Sequence, residues 1–423
     1  MAGVRRSAAR GVPGRRNAFL LDVEIAFRAT PGTRSPVPQE PSWPPAQVTG
    51  AVPFPHAGGI AITTGDRRTV PRYVDLGSAH PDGKGSSEEK KSASRETRRT
   101  HWVGRDRGRR AQPIRTEPNR ADLYQAVTWR AVSIPPFLNP PKNTTAYHLR
   151  TSRGEFAVID TAPAHGVTRR GTVLLVPGFT GSKEDFIAIL GALGEAGHRA
   201  VAYDQRGQYQ TAGPADPDEY TFQTLVNDVY AVIEALGDGP VHLVGHSFGG
   251  LVARMVALTD PAPLRSLTIM SSGPAAVTEG DQARLRMLLA ALEQHDLPAI
   301  WDAMQALEAE AGGQVDVDED VHEFLRVRFV SNTPASLVGM ARLLLDEPDR
   351  VDELARVPLP KHVLHGVEDH AWDPAWQAEM ARRLRARHTV IEGAGHSPAA
   401  ERPAQTAAAL VAFWADVDGL RLS

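Results

Sequence analysis

The chain has 423 residues, and its formal net charge of −3 hides two unlike parts: the first 120 residues hold 22 Lys and Arg against 11 Asp and Glu, leaving 25 against 39 downstream. A hydrophobic content of 42% suffices for a core of ordinary size. The absence of cysteine excludes disulfides, thiolate metal sites and a cysteine nucleophile.

Residues 1–140 are basic and Pro/Arg-rich, with 16 of the 33 prolines and a polar block from Gly83 to Arg110. So little apolar surface cannot offset a backbone ordering cost of about 1–2 kcal/mol per residue, so a disordered extension is expected there. Its aromatics, Phe54, Tyr73 and Trp102 among them, are too scattered for a stacking platform, and no nucleic-acid partner is expected. Asp22 and Glu24 break the apolar stretch Ala18–Leu21 short of the ~7–15 apolar residues of a signal core. No run approaches the ~18 apolar residues that span a bilayer, so a cytoplasmic location without a membrane span is the expectation.

From about Ala146 the texture changes. Tyr147–Thr151 and Phe156–Ile159 alternate around Ser152-Arg153-Gly154, the pattern of an antiparallel hairpin. Short apolar runs follow at Thr172–Val176, Ala200–Tyr203, Val241–Val244, Ser266–Met270, His362–His365 and Thr389–Ile391. Helical patterns separate them, at Lys183–Ala196, Thr221–Leu236, Phe248–Leu258, Pro374–Ala386 and Pro403–Val417. Continuous apolar strands alternating with amphipathic helices predict an α/β fold: a mostly parallel eight-stranded sheet flanked by helices. Between Ser272 and Leu359 the patterns are helical only, at Gln282–Gln294, Pro298–Glu310, Val321–Phe329 and Ala335–Leu345. Residues 141–272 and 355–423 are therefore read as the core and 273–354 as a helical cap, placed at the strand edge where open α/β sheets bind ligands. Met304, Leu307, Phe324, Phe329, Met340 and Leu344 are mainly the cap's own core at this spacing.

The segment Gly245-His246-Ser247-Phe248-Gly249 follows an apolar strand and opens a helical run. A strand turning sharply into a helix holds a serine hydroxyl clear of the backbone, and the flanking glycines permit the crowded turn. Ser247 is the candidate nucleophile. His246 shares its tight turn, where neighbours point in different directions, and is read as structural or pocket-lining. A serine hydroxyl needs a base, and the base an orienting carboxylate; where the serine sits on such a strand-to-helix elbow, the chain order is nucleophile, acid, histidine. His396, in the glycine-rich loop Gly393-Ala394-Gly395-His396 after the last strand, fits as base. After His362–His365 come Glu368 and Asp369, with Asp373 better placed to cap the helix opening at Pro374. The loop Pro177-Gly178-Phe179-Thr180-Gly181 is expected to supply an oxyanion hole, in which the backbone N–H of Phe179 would join that of Phe248.

These motifs together resemble the α/β-hydrolase fold family over residues 145–420: Val176-Pro177-Gly178-Phe179-Thr180-Gly181, Tyr203-Asp204-Gln205-Arg206-Gly207, Gly245–Gly249, Gly366-Val367-Glu368-Asp369 and Gly395-His396-Ser397-Pro398. The resemblance favours Asp369 as the acid, on the spacing of similar enzymes; where some relatives carry the acid after the preceding strand, this chain has Ser271-Ser272-Gly273. Two stretches depart from the family. Pro177 stands where the oxyanion loop usually has His, and Gln208-Tyr209-Gln210-Thr211 replaces the common x-Gly-x-Ser, which implies a different turn at Tyr209 and a pocket contact. Epoxide hydrolases and haloalkane dehalogenases are similar overall but carry aspartate where Ser247 stands. The resemblance implies acyl transfer from an ester-like substrate to water, with no cofactor and no metal, and the apolar cap favours a small to medium, largely apolar substrate. Lactone, thioester and carbon–carbon bond hydrolysis, perhydrolysis, and ligand binding by a non-catalytic receptor stay open on the same residues.

Overall fold

A computed structural model describes residues 133–310 and 317–422. The expected disordered extension falls outside the described residues as far as 132; its end, 133–140, is described.

The hairpin is present as β1 (Thr144–Thr151) and β2 (Gly154–Thr161), paired antiparallel. β3 (Gly171–Val176) leads through a 3-10 turn at Lys183–Phe186 into α1 (Ile187–Glu195). β4 (His198–Tyr203), α2 (Phe222–Leu236), β5 (Val241–His246), α3 (Phe248–Thr259) and β6 (Leu264–Met270) follow. After the insertion come β7 (Lys361–Gly366), α9 (Pro374–Leu384), β8 (Arg387–Ile391), the short α10 (Pro398–Glu401) and α11 (Pro403–Leu422). The eight strands form one sheet in the order β1-β2-β4-β3-β5-β6-β7-β8, parallel from β4 to β8.

Alternation within the strands separates two layers. In β3, Leu174 and Val176 face a core shared with α2, α3 and α9, whereas Val173 and Leu175 face one shared with α1 and α11. Both sets are fully buried, which is why these strands read as unbroken apolar runs. Local signals set the helix ends. The Thr221 hydroxyl accepts the N–H of Thr224 at the start of α2, and Gly237 closes it at φ +68°. Asp373 caps α9 by accepting the N–H of Ala375, with Pro374 in the first turn, as its sequence position suggests.

Between β6 and β7 the described chain is helical: α4 (Glu279–Leu292), α5 (Leu297–Glu310), α6 (Glu319–Val330), α7 (Pro334–Asp346) and the short α8 (Val351–Ala355). α4, α5, α6 and α7 bury a cluster of their own around Trp301, Leu325, Phe329 and Leu337. Ile134, Leu138 and Phe179 pack against it, so the insertion touches both the start of the described chain and the loop after β3. No helix among the described residues is long and apolar enough to cross a membrane.

Candidate active site

The strand-to-helix turn after β5 is crowded enough to explain its glycines. A Cβ on Gly245 would lie 2.1 Å from the Gly249 carbonyl oxygen, and one on Gly249 would lie 2.3 Å from that of Val176. Between them Ser247 takes φ +55° and ψ −120°, a conformation that L-residues seldom adopt. Its N–H donates to the Met270 carbonyl at the end of β6 (2.9 Å), which anchors the strained turn to the sheet. Ser247 is only partly buried, so its hydroxyl faces the cavity.

Ser247, His396 and Asp369 form one hydrogen-bonded chain. An ionised carboxylate only accepts, so the Nδ1–H of His396 donates to Asp369 Oδ1 (2.8 Å) and leaves Nε2 as acceptor for the Ser247 hydroxyl (2.9 Å). Glu368, the competing carboxylate, is exposed, whereas Asp369 is 5% exposed. Asp369 also accepts the N–H of Ala371 and the side-chain N–H of Gln377 at 2.8 Å. Burial works to raise its pKa, but the His396 charge and the hydrogen bonds from His396 and Gln377 outweigh it and hold the carboxyl below its ordinary 3.8. At His396 burial disfavours the charged ring, yet the Asp369 charge and hydrogen bond prevail and lift its pKa above the ordinary 6.5.

His246 plays a different part. Its Nε2–H donates to the backbone carbonyl of His396 (2.8 Å), and burial pulls its pKa down to about 4. It stays neutral near pH 7 and braces the histidine loop. That loop is braced on its other side by Glu401, whose carboxylate accepts the N–H groups of Gly395 (2.5 Å) and Ser397 (2.8 Å), bracketing His396.

The loop after β3 runs alongside this chain. A Cβ on Gly178 would come within 3.2 Å of Ser247 Cβ, a tight contact that glycine avoids where the loop approaches the serine. Phe179 lines the cavity, and Phe248, as the first residue of α3, has an N–H with no partner inside the helix. Phe248 directly follows Ser247 in the chain, and Phe179 directly follows the Gly178 that approaches it.

The cavity beside Ser247 measures about 60 Å3. Val277, Leu285, Leu344 and Ala371 make much of its wall, together with the polar side chains of Asp185, Asp281 and Arg284. Arg284 pairs with Asp281, whose other oxygen accepts the Thr278 hydroxyl. Of the six cap residues named from the sequence, Leu344 lines the cavity; Phe324 and Phe329 pack within the insertion's own cluster. Tyr209 does take a distinct turn, at φ +40°, but its ring packs on Phe324 and beneath the Lys183 ammonium rather than lining the cavity. Sequence reasoning missed Asp185, Asp281, Arg284 and Ser133, all of which reach the cavity from elements with no motif. Glu401 alone left a trace, in the Glu401-Arg402-Pro403 that follows the histidine motif.

A profile of the alpha/beta hydrolase family matches residues 173–409. Over 108 residues the chain is 40% identical to the protein named "Putative carbamate hydrolase RutD" of Variovorax paradoxus; the stretch is 26% of this chain and 40% of that relative, so the chain spans less than half of its length. A proline iminopeptidase of Lactobacillus delbrueckii subsp. lactis is 28% identical over 253 residues, covering 55% of this chain and 85% of the relative. Among solved structures, a thermophilic esterase from Thermogutta terrifontis shares the fold with a TM-score of 0.53 at 22% identity, over 65% of this chain and 99% of the other.

Proposed function

This chain belongs to the α/β-hydrolase family, and from that premise we propose that it is a serine esterase acting on esters with a small, largely apolar acyl group. The observation that carries the reading is the unbroken chain Ser247–His396–Asp369, with hydrogen bonds of 2.9 and 2.8 Å. Ser247 Oγ attacks the ester carbonyl while His396 Nε2 takes its proton, and Asp369 holds the ring in the required tautomer and stabilises the imidazolium. The carbonyl oxygen, now negative, settles between the N–H groups of Phe179 and Phe248. Such donors are worth about 3–4 kcal/mol each because they are aimed before the charge develops. His396 then gives its proton to the leaving alkoxide, and a water deprotonated by the same nitrogen releases the acid and frees Ser247.

Cavity size supports a small acyl group. About 60 Å3 falls well below the roughly 300–1,000 Å3 of sites for drug-sized ligands. A panel of p-nitrophenyl esters of increasing chain length tests the proposal. Hydrolysis is expected to be fastest for acetate to butyrate and to fall by at least about 10⁴-fold in Ser247→Ala. Undiminished turnover by Ser247→Ala, or a preference for long chains, contradicts it.

A further inference from the structure

Gln208 immediately precedes Tyr209, where the sequence leaves the family pattern, and nothing about its position marks it as functional. It is nonetheless fully buried, 0% exposed, and both polar atoms of its side chain are hydrogen-bonded near the site. Its Nε2 donates to the carbonyl oxygens of Gly178 (2.7 Å) and Phe179 (2.9 Å), while its Oε1 accepts the N–H of Gln205 (3.1 Å). Gln205, 1% exposed, completes the arrangement by donating to the Pro177 carbonyl (2.9 Å). Two carboxamides thus hold three consecutive carbonyls of the loop after β3.

Within a planar trans peptide the C=O and the following N–H point in opposite directions. Fixing the Gly178 carbonyl toward Gln208 therefore fixes the Phe179 N–H away from it. Neither glutamine lines the cavity, whereas Gly178, Phe179 and Thr180 do, so the carbonyls face the carboxamides and the N–H groups face the other way. Rotation of that one peptide would present a carbonyl oxygen to the developing oxyanion, repulsion in place of a hydrogen bond. The Gly181 N–H also donates to Gly178 O, at 3.3 Å, a longer bond than the 2.7 Å from Gln208.

We propose that Gln208 is a positioning residue that sets the oxyanion hole by locking the Gly178–Phe179 peptide, an inference that rests on the esterase reading above. Gln208 touches neither substrate nor nucleophile; it acts through the Phe179 N–H. Removal of a single oxyanion donor lowers kcat by about 10²–10³-fold in enzymes of this kind, and losing its orientation should approach that range.

The test compares wild type, Gln208→Met, which keeps the volume but no donor, and Gln208→His, whose ring keeps one. Each is assayed for kcat and KM on p-nitrophenyl butyrate and for inhibition by n-butaneboronic acid, whose adduct with Ser247 carries a negative oxygen in the oxyanion position. Gln208→Met is expected to lose about 30-fold or more in kcat, with KM within about threefold, and boronate affinity should fall in proportion. Gln208→His should recover part of both. A merely structural role would lower thermal stability without moving kcat and boronate affinity together. Should Gln208→Met not fold, the same criteria apply to Gln208→Leu, which also lacks a donor, against wild type. A folded donor-free variant within twofold of wild type in kcat and boronate affinity overturns the inference alone. A wild type that neither hydrolyses the ester nor binds the boronate overturns the esterase reading, and this inference with it.

Discussion

Arg328 of the helical insertion and Asp185 beside the loop after β3 form an ion pair of 2.8 Å, with side chains 1% and 3% exposed. The second guanidinium nitrogen of Arg328 donates to the Ser133 carbonyl (2.9 Å), so one side chain joins the insertion, the core and the start of the described chain at the cavity wall. Removing one member of a buried pair strands the other, at a cost of about 3–5 kcal/mol. Arg328→Met is therefore expected to be strongly destabilised in thermal melts. The deficit should depend on pH. Burial pushes the Asp185 carboxyl up to about 6 despite the pull of Arg328. A proton held more tightly in the folded state stabilises fully below the unfolded value of 3.8 and is lost as pH rises through about 6. Without Arg328 the carboxyl rises further, so the variant's deficit should be larger at pH 8 than at pH 5.

Truncation separates the two ends of the N-terminal segment. A chain beginning at residue 133 keeps Ser133 on Arg328, and Ile134 and Leu138 against the insertion; its kcat and KM should match the full chain. One beginning at residue 141 loses all three. It is expected to melt roughly 5 °C lower, for a loss of about 2 kcal/mol of apolar contact, and to show a KM raised several-fold because part of the cavity wall is gone. Equal behaviour of the two truncations would contradict the packing described.

The acid limb of the pH–rate profile should report His396. Only the neutral ring can accept the Ser247 proton, and its pKa lies above 6.5 because Asp369 favours the charged form against the effect of burial. kcat/KM is thus expected to fall with acidification through an apparent pKa above 6.5. In Asp369→Asn that support disappears: the limb should move to lower pH, and kcat should drop by about 10⁴-fold through loss of the required tautomer. His246, already pulled down to about 4, should contribute no second limb above pH 5.

Glu401 should act on rate rather than binding. Its carboxylate holds the N–H groups on both sides of His396 and does not line the cavity. Glu401→Ala is expected to lower kcat about tenfold, since hydrogen bonds to a charged group are worth about 1.5–3 kcal/mol, and to leave KM unchanged. A change confined to KM would contradict that role.

Much of this was legible in the sequence, for a physical reason. Strands β3 to β7 are buried on both faces and read as apolar runs; Gly245 and Gly249 sit where a Cβ would collide, so the motif is a record of steric crowding. Short elements escaped notice: α8 and α10 span five and four residues, too few for a helical period. The harder omissions are pairs brought together only by folding. Arg328 and Asp185 are 143 positions apart, and Arg328 and Ser133 are 195 apart. Nothing local marks either pair. Gln208 was read only as part of a departure from the family, because what it does is visible only from the carbonyls it holds.

The most direct test of the account is where a fluorophosphonate attaches. Intact-mass and peptide mass spectrometry of the labelled protein should show one phosphonyl adduct per chain on the peptide containing Ser247, with labelling abolished in Ser247→Ala and slowed severely in His396→Ala. A folded wild type that takes up no label, or an adduct on any other serine that persists in Ser247→Ala, would contradict the claim that Ser247, His396 and Asp369 work as one unit.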